Sequence, residues 1–180
     1  MSNALLYAIT VLVWGSTWLA IEFQLGVVAP EVSIFYRYVL ASFVLFLWCK
    51  YKRLSLIFNV KYHLWFALLG LFLFCLNYIL TYRAQVHITS ALAAIIFSSM
   101  LWMNIVLSRV VFGTRAGPRV LLGAFFGISG LLTIFVPQVG EFSLTDQVFF
   151  GCLLASIGAL SASAGNMTSQ ALQLRRLPVV

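Results

Sequence analysis

The 180-residue sequence is poor in charge: 8% of its residues are charged, four residues are acidic and two are histidines. A soluble domain carries about 25% charged residues, so this chain cannot cover a water-facing surface of ordinary composition. The few acids and histidines form neither an HExxH motif nor a cluster of aspartates. The sequence therefore lacks the residue sets on which hydrolysis or group transfer depends, and we predict that the protein is not an enzyme.

Cysteine is scarce as well. Cys49, Cys75 and Cys152 are isolated within or beside apolar runs, with neither a CxxC pair nor metal-ligand spacing. They are predicted to be small buried hydrophobic residues, and we predict no metal and no cofactor.

A basic n-region is missing at the N-terminus, and the first apolar run continues to about Phe23. This segment is longer than a signal peptide usually is, so it is predicted to be a retained first span.

Long apolar runs are abundant, since 63% of the residues are hydrophobic and the mean hydropathy is +1.05. A transmembrane helix needs about 20 mostly apolar residues. The segments that qualify are Ala4–Glu22, Glu31–Cys49, Leu64–Tyr82, Thr89–Phe112, Arg119–Val136 and Gln147–Leu172. Between them lie the turn-forming residues Pro30, Gly117-Pro118, Pro137 and Gly140. The sequence predicts an all-α membrane protein with six transmembrane helices.

Basic residues are distributed unevenly over the connectors. With a cytoplasmic N-terminus, the inner connectors hold nine of the eleven Lys and Arg residues: Lys50, Lys52, Arg53, Lys61, Arg109, Arg115, Arg119, Arg175 and Arg176. The acids lie on the outer side, at Glu22, Glu31, Glu141 and Asp146. Short basic connectors remain in the cytoplasm, so the N-terminus and Val180 are both predicted to be cytoplasmic in an inner membrane. Topology thus explains the net charge of +7, and no nucleic acid is predicted as a partner.

Polar side chains recur within four of the predicted spans. At a rise of about 1.5 Å per residue, Thr17, Arg37 and Asn77 lie roughly 8–9 Å from the outer ends of their helices, with Trp14 and Ser98 roughly 12–14 Å deep. Polar groups in hydrocarbon are costly unless they face the bundle interior or a water-filled cavity. We therefore expect one shared cavity that opens toward the outside. The candidate substrate-binding residues are Trp14, Thr17, Trp18, Arg37, Asn77, Tyr78 and Ser98.

Other interpretations remain open for these residues. Trp18 and Tyr78 also fit the aromatic belt at a membrane interface, and Arg37 could snorkel to the outer headgroups. Ser98 could only hydrogen-bond a neighbouring helix, and for Asn104 we favour that role.

Glycines mark candidate helix contacts. Gly15 would let the first helix approach a neighbour or bend, and Gly123 and Gly127 form a GxxxG element that is typical of tight helix packing. The last span carries a row of small residues that ends in a polar one, which predicts packing with a polar contact inside the bundle: Ala155, Ala159, Ala162 and Asn166.

Several segments together resemble the EamA-type transporters of the drug/metabolite transporter superfamily. These are WGSTW at Trp14–Trp18, FYRYVLASF at Phe35–Phe43, the stretch Thr81–Ser99 and the stretch Arg109–Ile134. Two positions depart from the family pattern. Leu101 stands near a place where the family often has a proline, and Gly113-Thr114 stands where it often has Gly-Glu.

The resemblance implies a fold of ten helices in two inverted five-helix repeats. Residues 1–136 would form the first repeat, 137–146 an outer connector, and 147–180 the first helix of an incomplete second repeat. A missing second repeat or a partner subunit would then complete the substrate cavity.

The implied function is an inner-membrane secondary transporter that exports amino acids or related small metabolites by alternating access. Trp14 and Trp18 would form apolar walls, Arg37 would attract an anionic group, and the amide and hydroxyl groups would hydrogen-bond the substrate. Proton coupling usually requires a carboxylate within the membrane, and Glu22 is the nearest candidate. Either Glu22 is drawn inward and pairs with Arg37, or this half of the transporter is uncoupled, and we favour the second. The alternative is a non-transporting or degenerate half-transporter subunit that only assembles with a partner.

Overall fold

The computed structural model describes residues 2–24, 28–139 and 146–175, with side chains omitted for 134–139. The described residues form helices and connectors and contain no strand. The helices are α1 (Asn3–Glu22), α2 (Pro30–Tyr51), α3 (Val60–Gln85), α4 (Ser90–Phe112), α5 (Pro118–Val139) and α6 (Asp146–Leu174). The predicted turn at Gly140, the acid Glu141 and the basic residue Arg176 lie outside the described residues. So does the C-terminal Val180.

The prediction of an all-α membrane protein is confirmed. Helices α1, α2, α3, α4 and α6 are each long and apolar enough to cross a membrane. In α5 the apolar stretch Pro118–Thr133 is shorter than such a span, so the sixth span remains a prediction. The backbone of α5 runs through Pro137 to Val139, so the helix ends later than the predicted boundary at Val136.

The helix ends follow from local sequence. Ser2, Asn59 and Thr89 precede α1, α3 and α4, and the side-chain oxygen of each accepts a hydrogen bond from a backbone amide in the first turn. Pro30 occupies the first position of α2, where a missing N–H costs nothing. Gly113 ends α4 with a φ of +69°, a left-handed conformation that glycine adopts without strain.

Two helices are irregular near the middle of the bundle. Residues Gly70–Leu76 of α3 are π-helical, and α4 is interrupted at Ser99, between Ser90–Ser98 and Met100–Phe112. The hydroxyls of Ser98 and Ser99 donate to the carbonyls of Ile95 and Ile96 at 2.6 Å. Such back-bonding competes with the regular backbone ladder and is a common cause of helix bending.

Helix α6 forms the core of the described bundle. It packs along α3 and against α4, whereas α2 packs on α3 and both α1 and α5 pack on α4. Its small residues Ala155, Ala159 and Ala162 are at most 2% exposed. Most of the large apolar side chains of α1 and α2 face outward, as Leu12 does at 72% exposure, which suits a lipid environment.

The three cysteines differ in burial. Cys49 is buried, as predicted, whereas Cys152 is half-buried and Cys75 is exposed. The prediction was wrong for Cys75, because an exposed position on an apolar helix can carry the same small apolar side chain as a buried position.

The antiparallel packing separates charge between the two ends of the bundle. At the acidic end, the Arg83 Nε donates to Glu31 at 2.9 Å and the Ser90 hydroxyl donates to Glu22 at 2.7 Å. At the opposite, basic end the Arg175 guanidinium lies 4.4 Å from the ring centroid of Trp65. The described basic residues at that end are Lys50, Lys52, Arg53, Lys61, Arg109, Arg115, Arg119 and Arg175.

Candidate functional site

A cavity of about 470 Å³, here called the larger cavity, lies among α1, α2, α3, α4 and α6. Its volume falls within the range of small-molecule sites in proteins. Most of the lining side chains on α1, α2 and α3 belong to the half of each helix nearer the acidic end. The structure brings together here six of the seven candidate binding residues: Trp14, Thr17, Trp18, Arg37, Asn77 and Tyr78.

Ser98 is the candidate that the cavity leaves out. Its hydroxyl donates to the Ile95 carbonyl of its own helix at 2.6 Å, and its neighbours Phe97 and Met100 line the cavity instead. Ser98 was chosen for its depth in the span, but depth does not determine the direction in which a side chain points around the helix.

Arg37 supplies the charge of the larger cavity. Its guanidinium carbon lies 5.0 Å from the ring centroid of Tyr78, within the range of a cation–π contact. None of the lining residues is acidic, and the ion pair found in the described part of the chain is Arg83–Glu31. Arg37 is half-buried, and no carboxylate among the lining residues neutralises its charge. It is therefore suited to an anionic ligand group.

Aromatic rings form much of the cavity wall. Trp18 packs edge-to-face on Phe97 with ring centroids 5.0 Å apart. Tyr38 packs edge-to-face on Phe74 and on Tyr78, at 5.4 and 5.3 Å. Edge-to-face contacts hold rings in defined orientations, so this part of the wall is pre-formed. A ligand with an apolar or aromatic body would find complementary surface here.

Several polar atoms of the cavity are partly used within their own helices. The Thr17 hydroxyl donates to the Val13 carbonyl at 2.8 Å, and the Asn77 amide donates to Leu73 at 3.1 Å. Thr81, one turn further along α3, donates to the Asn77 carbonyl at 2.7 Å. Because a hydroxyl has one hydrogen, Thr17 in this geometry is left to accept a hydrogen bond from a ligand.

Some lining residues were not among the candidates, namely Tyr38, Phe74, Thr81, Phe97 and Asn166. Thr81 follows Asn77 by one helical turn, so the helical periodicity of the sequence places both on the same face and could have predicted Thr81 as a lining residue. The apolar rings of Phe74 and Phe97 could not be distinguished from lipid-facing residues, since both environments favour the same side chains.

The glycines with an expected packing or gating role approach no other helix in the described part of the chain. A Cβ added at Gly15, Gly123 or Gly127 would meet no atom within 4 Å. Their packing role stays a prediction. The close approach occurs on α6, where a Cβ at Gly165 would lie 2.7 Å from the Leu73 Cβ and one at Gly151 would lie 2.7 Å from Ile88.

A second, smaller cavity of about 350 Å³ lies between α4, α6 and the α4–α5 connector. Its polar lining consists of Asn104, Ser108, Thr114, Arg115, Asn166 and Gln170. The Asn166 amide donates to the Asn104 side-chain oxygen at 3.3 Å, which is the interhelical role favoured for Asn104. Among the residues that the structure describes, no group of His, Cys, Asp and Glu could hold a metal ion.

Comparison with known proteins gives a consistent result. A family model described as the EamA-like transporter family matches residues 1–136, which confirms the resemblance seen in the sequence. Among curated proteins, the chain is similar to protein PagO of Salmonella typhimurium, 25% identical over 77% of this chain and 45% of PagO. An uncharacterized transporter of Haemophilus influenzae is 26% identical over 93% of this chain and 55% of its own.

An uncharacterized transporter of Archaeoglobus fulgidus is 29% identical over 88% of this chain and 54% of its own. The chain thus spans about half the length of these relatives. No solved structure matches the chain.

Proposed function

Because this chain belongs to the EamA-like transporter family, we propose that it works in a secondary transporter that exports amino acids or related small metabolites by alternating access. The membrane would be an inner membrane, with the basic end of the bundle in the cytoplasm. We propose no catalytic activity.

One observation carries this proposal: a cavity that combines a single cation with aromatic walls and no carboxylate. Arg37 would bind the anionic group of the substrate, and the rings around Tyr38 and Trp18 would contact its apolar body. Asn77 of α3 and Thr17 of α1 would contribute hydrogen bonds. A substrate with a carboxylate and an apolar side chain satisfies Arg37 and the rings, and the ammonium group of an amino acid would donate to the side-chain oxygens of Thr17 and Asn77. An organic cation without a carboxylate would meet Arg37 without a counter-charge.

The remaining candidates receive different roles. We assign Ser98 to the bend in α4, since its hydroxyl is occupied within that helix. Glu22 accepts a hydrogen bond from Ser90 at the acidic end and makes no ion pair with Arg37 in the described residues. This supports a chain in which Glu22 takes no part in proton coupling.

A covering segment is also part of the proposal. Trp14 lines the larger cavity and is 66% exposed, so the α1 side of the cavity remains open. We propose that a second repeat or a partner subunit closes this side. The same observation favours the alternative function, a non-transporting or degenerate half-transporter subunit that only assembles with a partner.

The test is transport by the full gene product reconstituted in vesicles and loaded with a panel of amino acids and organic acids. Arg37→Ala should lower efflux of carboxylate substrates about 10-fold or more, since a lost charge-assisted hydrogen bond costs about 1.5–3 kcal/mol. Arg37→Lys should restore part of that loss because it retains the charge.

Arg83→Ala is the matched control, since Arg83 is an exposed arginine whose ion pair lies away from the cavity. Its efflux should stay within about twofold of the parent, as expected for a surface ion pair. Equal efflux from the parent and Arg37→Ala, for every substrate that the parent exports, would refute the proposed site.

A further inference from the structure

The two cavities meet at a single hydrogen-bonded pair of side chains. Asn166 of α6 lines both the larger and the smaller cavity. Its amide donates to Asn104 of α4, which lines the smaller cavity. An amide pair inside a membrane bundle offers both donors and acceptors, so it can exchange its mutual bond for bonds to a passing polar molecule.

The smaller cavity has chemistry of its own. Arg115 is its one charged lining residue, and none of its lining residues is acidic. The hydroxyls of Ser108 and Thr114 lie 2.6 Å apart in a hydrogen bond. An arginine that lines the same cavity as two hydroxyl groups is suited to a carboxylate, the same anionic class that the larger cavity would accept at Arg37.

The irregular segments of two helices lie at the level of this junction. On α4, Met100 faces the larger cavity while Leu101 and Asn104 face the smaller one, directly after the interruption at Ser99. On α3, the π-helical segment Gly70–Leu76 contributes Leu73 and Phe74 to the larger cavity. Interrupted and π-helical turns are places where a membrane helix can change its direction without losing its neighbours.

We propose that the two cavities are successive binding sites on one path, and that the Asn104–Asn166 pair is the partition between them. The smaller cavity takes the carboxylate of the substrate at Arg115, from the basic end. Rearrangement at the α4 interruption separates the two amides and connects the cavities. A single neutral hydrogen bond is weak enough to break in every transport cycle. The assignment of the substrate path rests on the proposed function; the partition itself can be tested without transport.

The test uses single cysteines as reporters of access. In a background where Cys49, Cys75 and Cys152 are replaced by alanine, Ser108→Cys reports on the smaller cavity and Ala41→Cys on the larger one. Oriented vesicles of the full gene product are treated, from the acidic end, with a membrane-impermeant thiol reagent. With the partition intact, the Ala41→Cys thiol should react and the Ser108→Cys thiol should be protected.

Breaking the partition should expose the smaller cavity. Asn104→Ala and Asn166→Ala should each raise the labelling rate of the Ser108→Cys thiol from the acidic end about threefold, the equilibrium effect of one lost hydrogen bond between membrane helices. Thr168→Ala is the matched control on α6, because its hydroxyl bonds the Ala164 carbonyl of its own helix and it lines neither cavity. An unchanged rate in both asparagine variants, each eluting as the parent does in size-exclusion chromatography, would overturn the partition.

A second arm tests the binding site. Phenylacetate, a carboxylate with an apolar body, is added from the basic end as the probe, and it should slow the labelling of the Ser108→Cys thiol from that end. Arg115→Ala should abolish this protection, while Arg119→Ala, which changes an arginine outside the cavity lining, should retain it. Absence of protection in the parent would refute the smaller cavity as a binding site. Because labelling is the readout, this result is independent of whether Arg37→Ala affects efflux.

Discussion

Ser161 and Ser163 of α6 differ in hydrogen bonding: the first hydroxyl makes a hydrogen bond to another helix, and the second makes none in the described residues. The Ser161 hydroxyl donates to the Phe72 carbonyl in the π-helical segment of α3 at 2.8 Å. Ser163 is fully buried, and in the described part of the chain its hydroxyl has no hydrogen-bond partner. A π-helical turn changes the pairing of backbone amides with carbonyls, so Ser161 provides a donor where the ladder of α3 is irregular. The two residues should therefore respond differently to the same substitution.

Ser161→Ala should lower the stability of the purified protein by about 0.6 kcal/mol, the average for side-chain hydrogen bonds between membrane helices. Ser163→Ala should leave stability unchanged or raise it by about 1 kcal/mol, since it removes a buried hydroxyl that has lost its water partners. Thermal unfolding of the two variants and the parent in one detergent measures the difference. Equal destabilisation by both substitutions would contradict the hydrogen-bonding states described here.

For single residues, the sequence predicted which polar side chains lie deep in a span, but it did not predict the direction in which each side chain points around its helix. Arg37 and Asn77 were predictable because a charged or amide side chain within a span has few places to go except the bundle interior. Ser98 does not line the larger cavity, because its hydroxyl bonds the backbone of its own helix, and α4 is interrupted one residue later. Depth and residue type leave that choice undetermined.

At the scale of the helix, the contact between α6 and α3 depends on glycines seven residues apart. A Cβ at Gly158 would lie 3.4 Å from the Asn77 carbonyl and the Leu80 side chain, an ordinary contact. At Gly165 it would lie 2.7 Å from the Leu73 Cβ and 2.9 Å from the Leu73 backbone nitrogen. Backbone cannot move aside as a flexible side chain can, so this position requires glycine.

Gly165→Ala should therefore separate α6 from α3 and destabilise the protein by about 1–3 kcal/mol, as overpacking does in cores. Gly130→Ala on α5 is the control, because its added methyl would meet no atom within 4 Å. The control should be neutral or stabilising by up to about 1 kcal/mol through helix propensity. Thermal unfolding and size-exclusion elution measure both variants; a Gly165→Ala protein as stable as Gly130→Ala would refute the close contact.

The GxxxG pattern illustrates what an isolated helix does not reveal. Gly123 and Gly127 have the spacing of a packing motif, yet the close contact in the described bundle involves Gly151 and Gly165 of another helix. Small residues show that a helix permits close approach, whereas the identity of the partner depends on the other helices. Span positions need no such information, because length and hydropathy are local properties, and this is why the transmembrane helices were predicted well.

At the scale of the whole molecule, the charged residues and the two cavities are both arranged along the long direction of the bundle. The larger cavity lies toward the acidic end, which holds Glu22 and Glu31, and the smaller one lies toward the basic end with Arg115. If basic connectors remain in the cytoplasm, an exported carboxylate would meet Arg115 first and Arg37 second. The proposed order of binding sites therefore depends on the orientation of the bundle in the membrane.

That orientation can be tested with two exposed positions at opposite ends. Ile57, in the α2–α3 connector of the basic end, is 91% exposed, and Val86, at the acidic end of α3, is 62% exposed. In the background where Cys49, Cys75 and Cys152 are replaced by alanine, an impermeant thiol reagent added to intact spheroplasts should label Val86→Cys and spare Ile57→Cys. Permeabilised spheroplasts are the control, and both variants should then react. Labelling of Ile57→Cys with protection of Val86→Cys before permeabilisation would show that the bundle has the opposite orientation. The proposed path would then serve import and not export, because the site at Arg115 would face the outside.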